Sequence, residues 1–226
     1  MITSLIDLHT HSLLSDGVLL PSELVRRAQV NGVTAIAVTD HVDHSNISYV
    51  IEGLTRVAGE INRYWNIRVI PGVEITHVPL ECFKDLVSFA RLKGVEIVVA
   101  HGESPVEPVI KGTNRVAIEA GVDILAHPGH LLEEDAILAR DRGVYLEITA
   151  RSGHSATNAH VFSIAEKTHA KLVFNTDAHT PADLLTKESR EKILNELRAN
   201  EKQKIEIIKN AEEFLNKIAV ARSRFL

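Results

Sequence analysis

The sequence predicts an α/β fold, a single barrel of parallel strands wrapped by helices, and three observations carry that expectation. Short β-branched runs alternate with amphipathic helical segments along most of the chain, the pattern of repeated strand–helix units. Nearly every such run finishes in a histidine or a carboxylate. At 226 residues, 45% of them hydrophobic, the chain is long enough to bury one substantial core, so residues 1–226 are expected to form one domain.

Taken in order, "LIDLH" is the first strand and ends at His9, with His11 and Asp16 just beyond it. An extended segment alternates its side chains, so His9 and His11 point the same way and can share an ion. "PSELVRRAQVNG" follows as a helix, opened by Pro21 and stopped at Gly32. "AIAVTD" is the second strand, leading to His41, and residues 48–65 form the next helix. "RVIPGVEIT" places Glu74 near the end of the third strand, before a helix over 84–93. "EIVVAH" ends at His101, residues 114–120 are helical, and "DILAH" ends at His127. "VYLEIT" runs into a loop carrying Arg151 and His154, and "KLVFNTD" leads to Asp177 and His179. That makes seven strands, one short of the usual eight-stranded barrel.

From Pro181 onward no strand is expected. Ile205, Ile208, Ala211, Leu215, Ile218 and Ala219 recur at three- and four-residue spacings, an amphipathic helix that packs across the barrel or an open edge. A dimerisation helix, and with it a homo-oligomer, is the alternative.

The N-terminal stretch lacks the basic head and apolar core of a signal peptide, which points to the cytoplasm, and no apolar run suggests a membrane. Cys82 is the one cysteine, so it has no disulfide partner and no thiolate neighbour for a metal; it reads as a packing residue. A formal charge of −5 without a Lys/Arg tract argues against a protein that holds a nucleic-acid backbone.

In a parallel barrel all strand C-termini open on one face, where active sites are built. His9, His11, Asp16, His41, Glu74, His101, His127, Asp177 and His179 would therefore converge. Unrelated structural histidines would not favour strand ends of one polarity. Nine donors exceed the needs of one ion, so two or three divalent ions are expected, with Glu74 the best bridge between them. Imidazole and carboxylate without thiolate suit Zn²⁺, Mn²⁺ or Fe²⁺.

"DLHTHSLLSDG", "VTDH", "GVE", "AHP" and "NTDAH" resemble the successive motifs of the PHP superfamily, the polymerase and histidinol phosphatase domain, over about the first four-fifths of the chain. The resemblance implies a distorted (β/α)7 barrel, here followed from about residue 181 by the C-terminal helical extension. It also implies a trinuclear metal centre that hydrolyses phosphoesters, held by the nine residues above.

On that reading a metal-bridging hydroxide attacks a small phosphate monoester, histidinol phosphate being the best single named substrate. Arg151 is the expected phosphate clamp and His154 the candidate general acid, with Lys111 and Arg115 as rim cations. Asp40 could orient a ligand, His44, His77 and His130 could shape the pocket, and His160 and His169 read as structural. Two other readings stay open: a phosphodiesterase or nuclease using the same ions, and a non-catalytic metal-binding module.

Overall fold

The computed structural model describes residues 4–223. The first half runs β1 (Leu5–Asp7), α1 (Pro21–Val30), β2 (Val33–Val38), β3 (His41–Val42), α2 (Ile47–Tyr64), β4 (Arg68–Ile75) and α3 (Phe83–Leu92). The second half runs β5 (Ile97–His101), α4 (Thr113–Ala120), β6 (Ile124–Ala126), α5 (Glu133–Arg142), β7 (Tyr145–Thr149), α6 (Asn158–Thr168), β8 (Leu172–Asn175), α7 (Lys187–Glu196) and α8 (Glu201–Ser223). All strand pairs are parallel and follow the order β1-β2-β4-β5-β6-β7-β8, with β3 beside β4. The result is a nearly closed α/β barrel whose seven main strands are those expected from the sequence.

The short β3 was not expected. The chain leaves the β2 ladder at Thr39 and Asp40 and rejoins it at His41, whose partner across the ladder is Glu74. Asp40 stays in the ladder only through its carbonyl, which accepts from the Glu74 N–H at 3.1 Å. The break therefore brings His41 level with Glu74 at the mouth of the barrel.

β1 and β8 close the barrel mainly at their C-terminal ends. Leu8 N donates to Asn175 Oδ1, Asp177 N to the His9 carbonyl and His11 N to the Ala178 carbonyl, each at 2.9 Å. Lower down, Arg190 of α7 donates from Nη1 to the Ser4 carbonyl at 2.9 Å, filling part of the seam.

The apolar core has two layers, one inside the barrel and one around it. Ile6, Leu8, Ala35, Ala37, Ile70, Ile97, Val99, Ile124, Ala126, Tyr145 and Val173 form an apolar floor. Small residues let the walls approach: a Cβ on Gly72 would lie 2.4 Å from a methyl of Ile97 and 2.7 Å from the methyl of Thr39. A second apolar layer, including Ile36, Val73, Val98, Leu125, Leu146 and Phe174, packs between the sheet and the helices.

α8 seals the floor across the strand starts. Ala211, Phe214 and Ile218 join the interior cluster, and the Phe214 ring meets Tyr145 edge-on at 5.9 Å. Asn210 Nδ2 donates to the carbonyl of Leu172 at 2.8 Å and Arg68 Nη1 to that of Leu215 at 3.0 Å, so the helix is tied to the first residues of β8 and β4. Packing across the barrel was the expected role of this helix, although four positions differ. Ile205 stays 40% exposed because α8 meets the rest of the chain in depth only from Ile207 onward, Ala219 is exposed as well, and Ile207 and Phe214 are buried instead. Among the described residues no helix is long and apolar enough to cross a membrane.

Phe214→Ala leaves a cavity under the barrel and should destabilise the fold by about 3–5 kcal/mol. Urea unfolding monitored by circular dichroism checks this, with the midpoint expected to fall while the m-value holds.

Candidate metal centre

The period of two that lays the apolar floor also carries polar residues inward, one step nearer the C-terminal mouth. Ile70 is followed on the same face by Gly72 and Glu74, Val99 by His101, Tyr145 by Glu147 and Val173 by Asn175. All four of these polar residues are buried.

Glu74 sits at the middle. Its Oε2 lies 3.2 Å from His9 Nε2, 3.4 Å from His11 Nε2 and 2.8 Å from His41 Nδ1. Its Oε1 lies 3.3 Å from His101 Nδ1 and 3.6 Å from His127 Nε2. Asp177 Oδ1 stands 3.1 Å from His11 Nε2 and 3.4 Å from His179 Nδ1, while Asp16 Oδ1 stands 3.1 Å from His179 Nε2 and 3.6 Å from His41 Nε2. The structure thus brings together all nine residues named from the sequence.

They fall into four overlapping groups: His11, Asp16, His41 and His179; His9, His127 and Asp177; His9, His11 and Glu74; and His41, Glu74 and His101. Within each group one donor atom per residue lies within 4.8 Å of the others. Glu74 belongs to two groups, as a bridging carboxylate would.

Protein contacts alone leave this cluster unsatisfied. His11 Nδ1, both Glu74 oxygens, both His101 nitrogens, His127 Nδ1 and Asp177 Oδ1 are buried and make no hydrogen bond. Buried polar atoms almost always find a partner, so such a concentration fits a set of divalent cations, and the N and O donors suit them.

The electrostatics agree. Burial opposes charge on His9, yet Glu147, Glu74 and Asp177 outweigh it and hold the ring's pKa well above the usual imidazole range. Burial likewise opposes charge on His101, but Glu107 and Glu74 raise it to about 10. Burial and the neighbouring imidazoles push His11 and His127 well below their usual range. Burial raises Asp177 to about 7, whereas in Glu74 it is outweighed by His9 and His41, which keep the carboxyl well below its usual range. Without ions the cluster can accommodate its charges only by retaining protons on some rings and excluding them from others.

Residues around the centre fix its geometry. Glu147 Oε1 lies 2.8 Å from His9 Nδ1 and accepts from Asn175 Nδ2 at 2.8 Å, while Oε2 accepts from His127 N at 3.1 Å. An imidazole whose outer nitrogen is so held has its inner nitrogen set for an ion. Asp40, expected as an orienting residue, works through the backbone: Oδ1 accepts from Ser12 N and Ser15 N and Oδ2 from Ser12 Oγ, anchoring the loop that carries Asp16. His127 and Asp177 adopt positive φ of 28° and 53°, a strained setting for non-glycine residues and one that concentrates at functional sites. Gly129 has φ 65°, and a Cβ there would lie 1.9 Å from the Glu103 carbonyl oxygen, so the turn after His127 requires glycine.

The outer candidates divide. His154 is buried, its Nδ1 is 2.7 Å from Ser104 Oγ and its ring centroid is 4.3 Å from that of His127, so it borders the centre. Burial pulls its pKa down. Arg151 is partly exposed, with Nη1 3.6 Å from Asp183 Oδ2, and Asp183 in turn accepts from His179 N at 3.2 Å. Lys111 is exposed in the loop before α4. Arg115 is no rim cation: it pairs with Asp135 at 3.0 Å and Glu119 at 3.3 Å, joining α4 to α5. His44 is exposed, and His130 lies 5.7 Å from His160, whose Nε2 contacts the Leu131 carbonyl at 2.8 Å. His169 ends α6 with φ 59°. His77 joins a separate contact with Glu107.

Sequence reasoning missed Glu147 and Glu107. Glu147 could have been found, since it shares the strand face of Tyr145 two residues earlier. Glu107 stands in a loop, where no periodicity marks a side chain's direction.

A parallel barrel with a thiolate-free cluster of imidazoles and carboxylates at its C-terminal mouth defines a class of metal-competent α/β barrels. Within that class the chain belongs to the PHP domain family, which matches residues 7–218. A protein of Methanocaldococcus jannaschii described as uncharacterized is 47% identical over 189 residues, covering 83% of this chain and 87% of that one. The DNA polymerase/3'-5' exonuclease PolX of Bacillus subtilis is 28% identical over 197 residues, 76% of this chain but only 34% of that protein. Among solved structures, histidinol phosphate phosphatase from Lactococcus lactis, complexed with zinc, L-histidinol and phosphate, shares the fold with a TM-score of 0.59 at 16% identity, covering 85% of this chain and 93% of that one.

Two outcomes follow from the geometry. Zn²⁺ added to metal-free protein at pH 8 should release protons, because His101, with a pKa raised to about 10, must give one up to bind an ion; affinity should fall as pH drops from 8 to 6. Titration in weak buffer with an indicator dye reads both. Glu147→Gln should weaken metal binding by roughly 10–100-fold with the fold intact, measured by competition with a chromophoric chelator.

Proposed function

We propose that the chain hydrolyses a phosphate monoester of a small molecule, using two to three divalent ions held by His9, His11, Asp16, His41, Glu74, His101, His127, Asp177 and His179. The observation that carries this reading is the group of buried donor atoms around Glu74 that make no hydrogen bond, in a chain of the PHP family. The likeness in fold to a histidinol phosphate phosphatase that binds zinc and phosphate supports it. Bound there, ions would supply an activated water and neutralise phosphate charge, so no serine or cysteine nucleophile is needed.

The chain's own residues would do the rest. Arg151 can turn its guanidinium from Asp183 to two phosphate oxygens, a bidentate match that lysine cannot offer. When its ring carries both protons, His154 can rest Nδ1–H on Ser104 Oγ and give the Nε2 proton to a departing alkoxide, returning to the neutral imidazole. Asp40 and Glu147 hold the Asp16 loop and the His9 ring still, so the donors meet the substrate already oriented.

A second reading, cleavage of phosphodiesters, is favoured by the likeness to PolX, a DNA polymerase/3'-5' exonuclease. The net charge of −5 weighs against a long polyanion. A panel of histidinol phosphate, nucleoside mono- and bisphosphates, phosphotyrosine, an aryl diester and a short oligonucleotide separates the two readings. Turnover of a monoester is expected; turnover of diester and oligonucleotide alone would replace the first reading by the second.

His9→Ala/His11→Ala should lose bound metal and lower kcat/KM by roughly two orders of magnitude or more, whichever ester is turned over. Persistence of full activity in metal-depleted protein would sink the mechanism. Arg151→Ala should raise KM by roughly 10-fold or more, the loss of about one charge-assisted hydrogen bond, with a smaller change in kcat.

A further inference from the structure

Beside the centre, the proposed reaction leaves His77 and Glu107 unused, and Glu107, in the loop between β5 and α4, gathers three imidazoles. Its Oε2 lies 3.0 Å from His77 Nε2, in a hydrogen bond, and 3.2 Å from His101 Nε2. Its Oε1 lies 3.3 Å from His154 Nε2. The His101 contact is the unusual one. His101 is 3% exposed, and its Nε2 makes no hydrogen bond in spite of the carboxylate beside it. A buried imidazole nitrogen within ion-pair reach of a carboxylate, yet without a hydrogen bond to it, has the character of a ligand position.

We propose that His77 Nε2, Glu107 Oε2 and His101 Nε2 form a further divalent-cation site, outside the nine-residue centre, for an ion of the zinc or manganese class. The spacing fits. Tetrahedral bonds of about 2.0–2.1 Å place neighbouring donors about 3.3–3.4 Å apart. The two Glu107 contacts, at 3.0 and 3.2 Å, fall just short of that separation, and the three residues offer ligand atoms within 4.8 Å of one another. His77 and Glu107 are 40% and 36% exposed, which gives an ion access from solvent and leaves positions for water or an anionic group. His77 also adopts a positive φ of 51°, a third strained non-glycine residue at this mouth beside His127 and Asp177.

His101 stands between the two sites, since its Nδ1 faces Glu74 Oε1 at 3.3 Å. When both ring nitrogens serve as ligands, the remaining N–H proton leaves to solvent as the outer ion binds, and the imidazolate joins two cations. His154 stays out of the set, with Nδ1 on Ser104 and Nε2 on the other Glu107 oxygen. The outer site shares only His101 with the centre of the proposed function, so its occupancy is read separately from hydrolysis.

The test is anomalous diffraction at the zinc edge from crystals of the full chain equilibrated with Zn²⁺, with elemental analysis of the same protein. A peak bounded by His77, Glu107 and His101 is expected in the wild type. Glu107→Gln and His77→Ala should each remove it, with about one ion per chain lost and the peaks around Glu74 kept. Filled positions around Glu74 with nothing beside Glu107 would overturn the proposal, as would an outer peak that survives both variants. Should His77→Ala fail to fold, the wild-type map and Glu107→Gln decide. A filled outer site in protein inactive on every ester would overturn the proposed function and leave this site standing, and zinc at no position would overturn both.

Discussion

The structure depends on burying one carboxylate. Glu74 is fully enclosed, and neither oxygen has a hydrogen bond, a placement that is strongly unfavourable for an ionised group without compensating charge. Five imidazoles from four separate segments surround it at 2.8–3.6 Å, and His9, His41 and His101, drawn toward the charged form, supply that compensation. Each must arrive on the inner face at the same height, which a parallel barrel achieves because all its strands end at one mouth. The break between β2 and β3 serves the same demand, for it brings His41 level with Glu74.

A polar layer of this kind adds little to stability by itself. His11 and His127 are held neutral while His9, His41 and His101 are drawn toward the charged form, so neighbouring rings compete for the same protons. The fold is held instead by what lies below and around that layer. An apolar floor sealed by Phe214, and a second shell between sheet and helices, bury their side chains without polar atoms to satisfy. Separating a packed base from a strained, donor-rich mouth lets the same barrel be stable while its mouth carries donors that protein contacts leave unsatisfied. Glu147 joins the layers, standing one pleat above Tyr145 and holding His9, His127 and Asn175 together.

Loops complete the mouth in two different ways. The Asp16 loop is rigid, because Asp40 accepts from two backbone amides and two hydroxyls within it. The Glu107 loop is turned by its own backbone hydrogen bonds, and its carboxylate faces three imidazoles instead of backbone amides.

The sequence by itself determined the seven main strands, the barrel and the nine converging residues. Strands declare themselves by β-branched runs, and a parallel barrel turns the end of each run into a known place in space. It also determined the sealing helix, through the apolar spacing of Ile208, Ala211 and Ile218, although not Phe214. What only the tertiary structure decided lies wherever position is not set by local periodicity. Arg115 went to Asp135 because α4 packs on α5, a pairing no single helix reveals. Glu107 reached His77 and His101 because a loop has no repeating geometry to extrapolate. Whether a donor finds a partner was likewise undecidable from the chain: the bare oxygens of Glu74 and the bare nitrogens of His101 follow from how five segments meet, and that meeting exists only in the folded barrel.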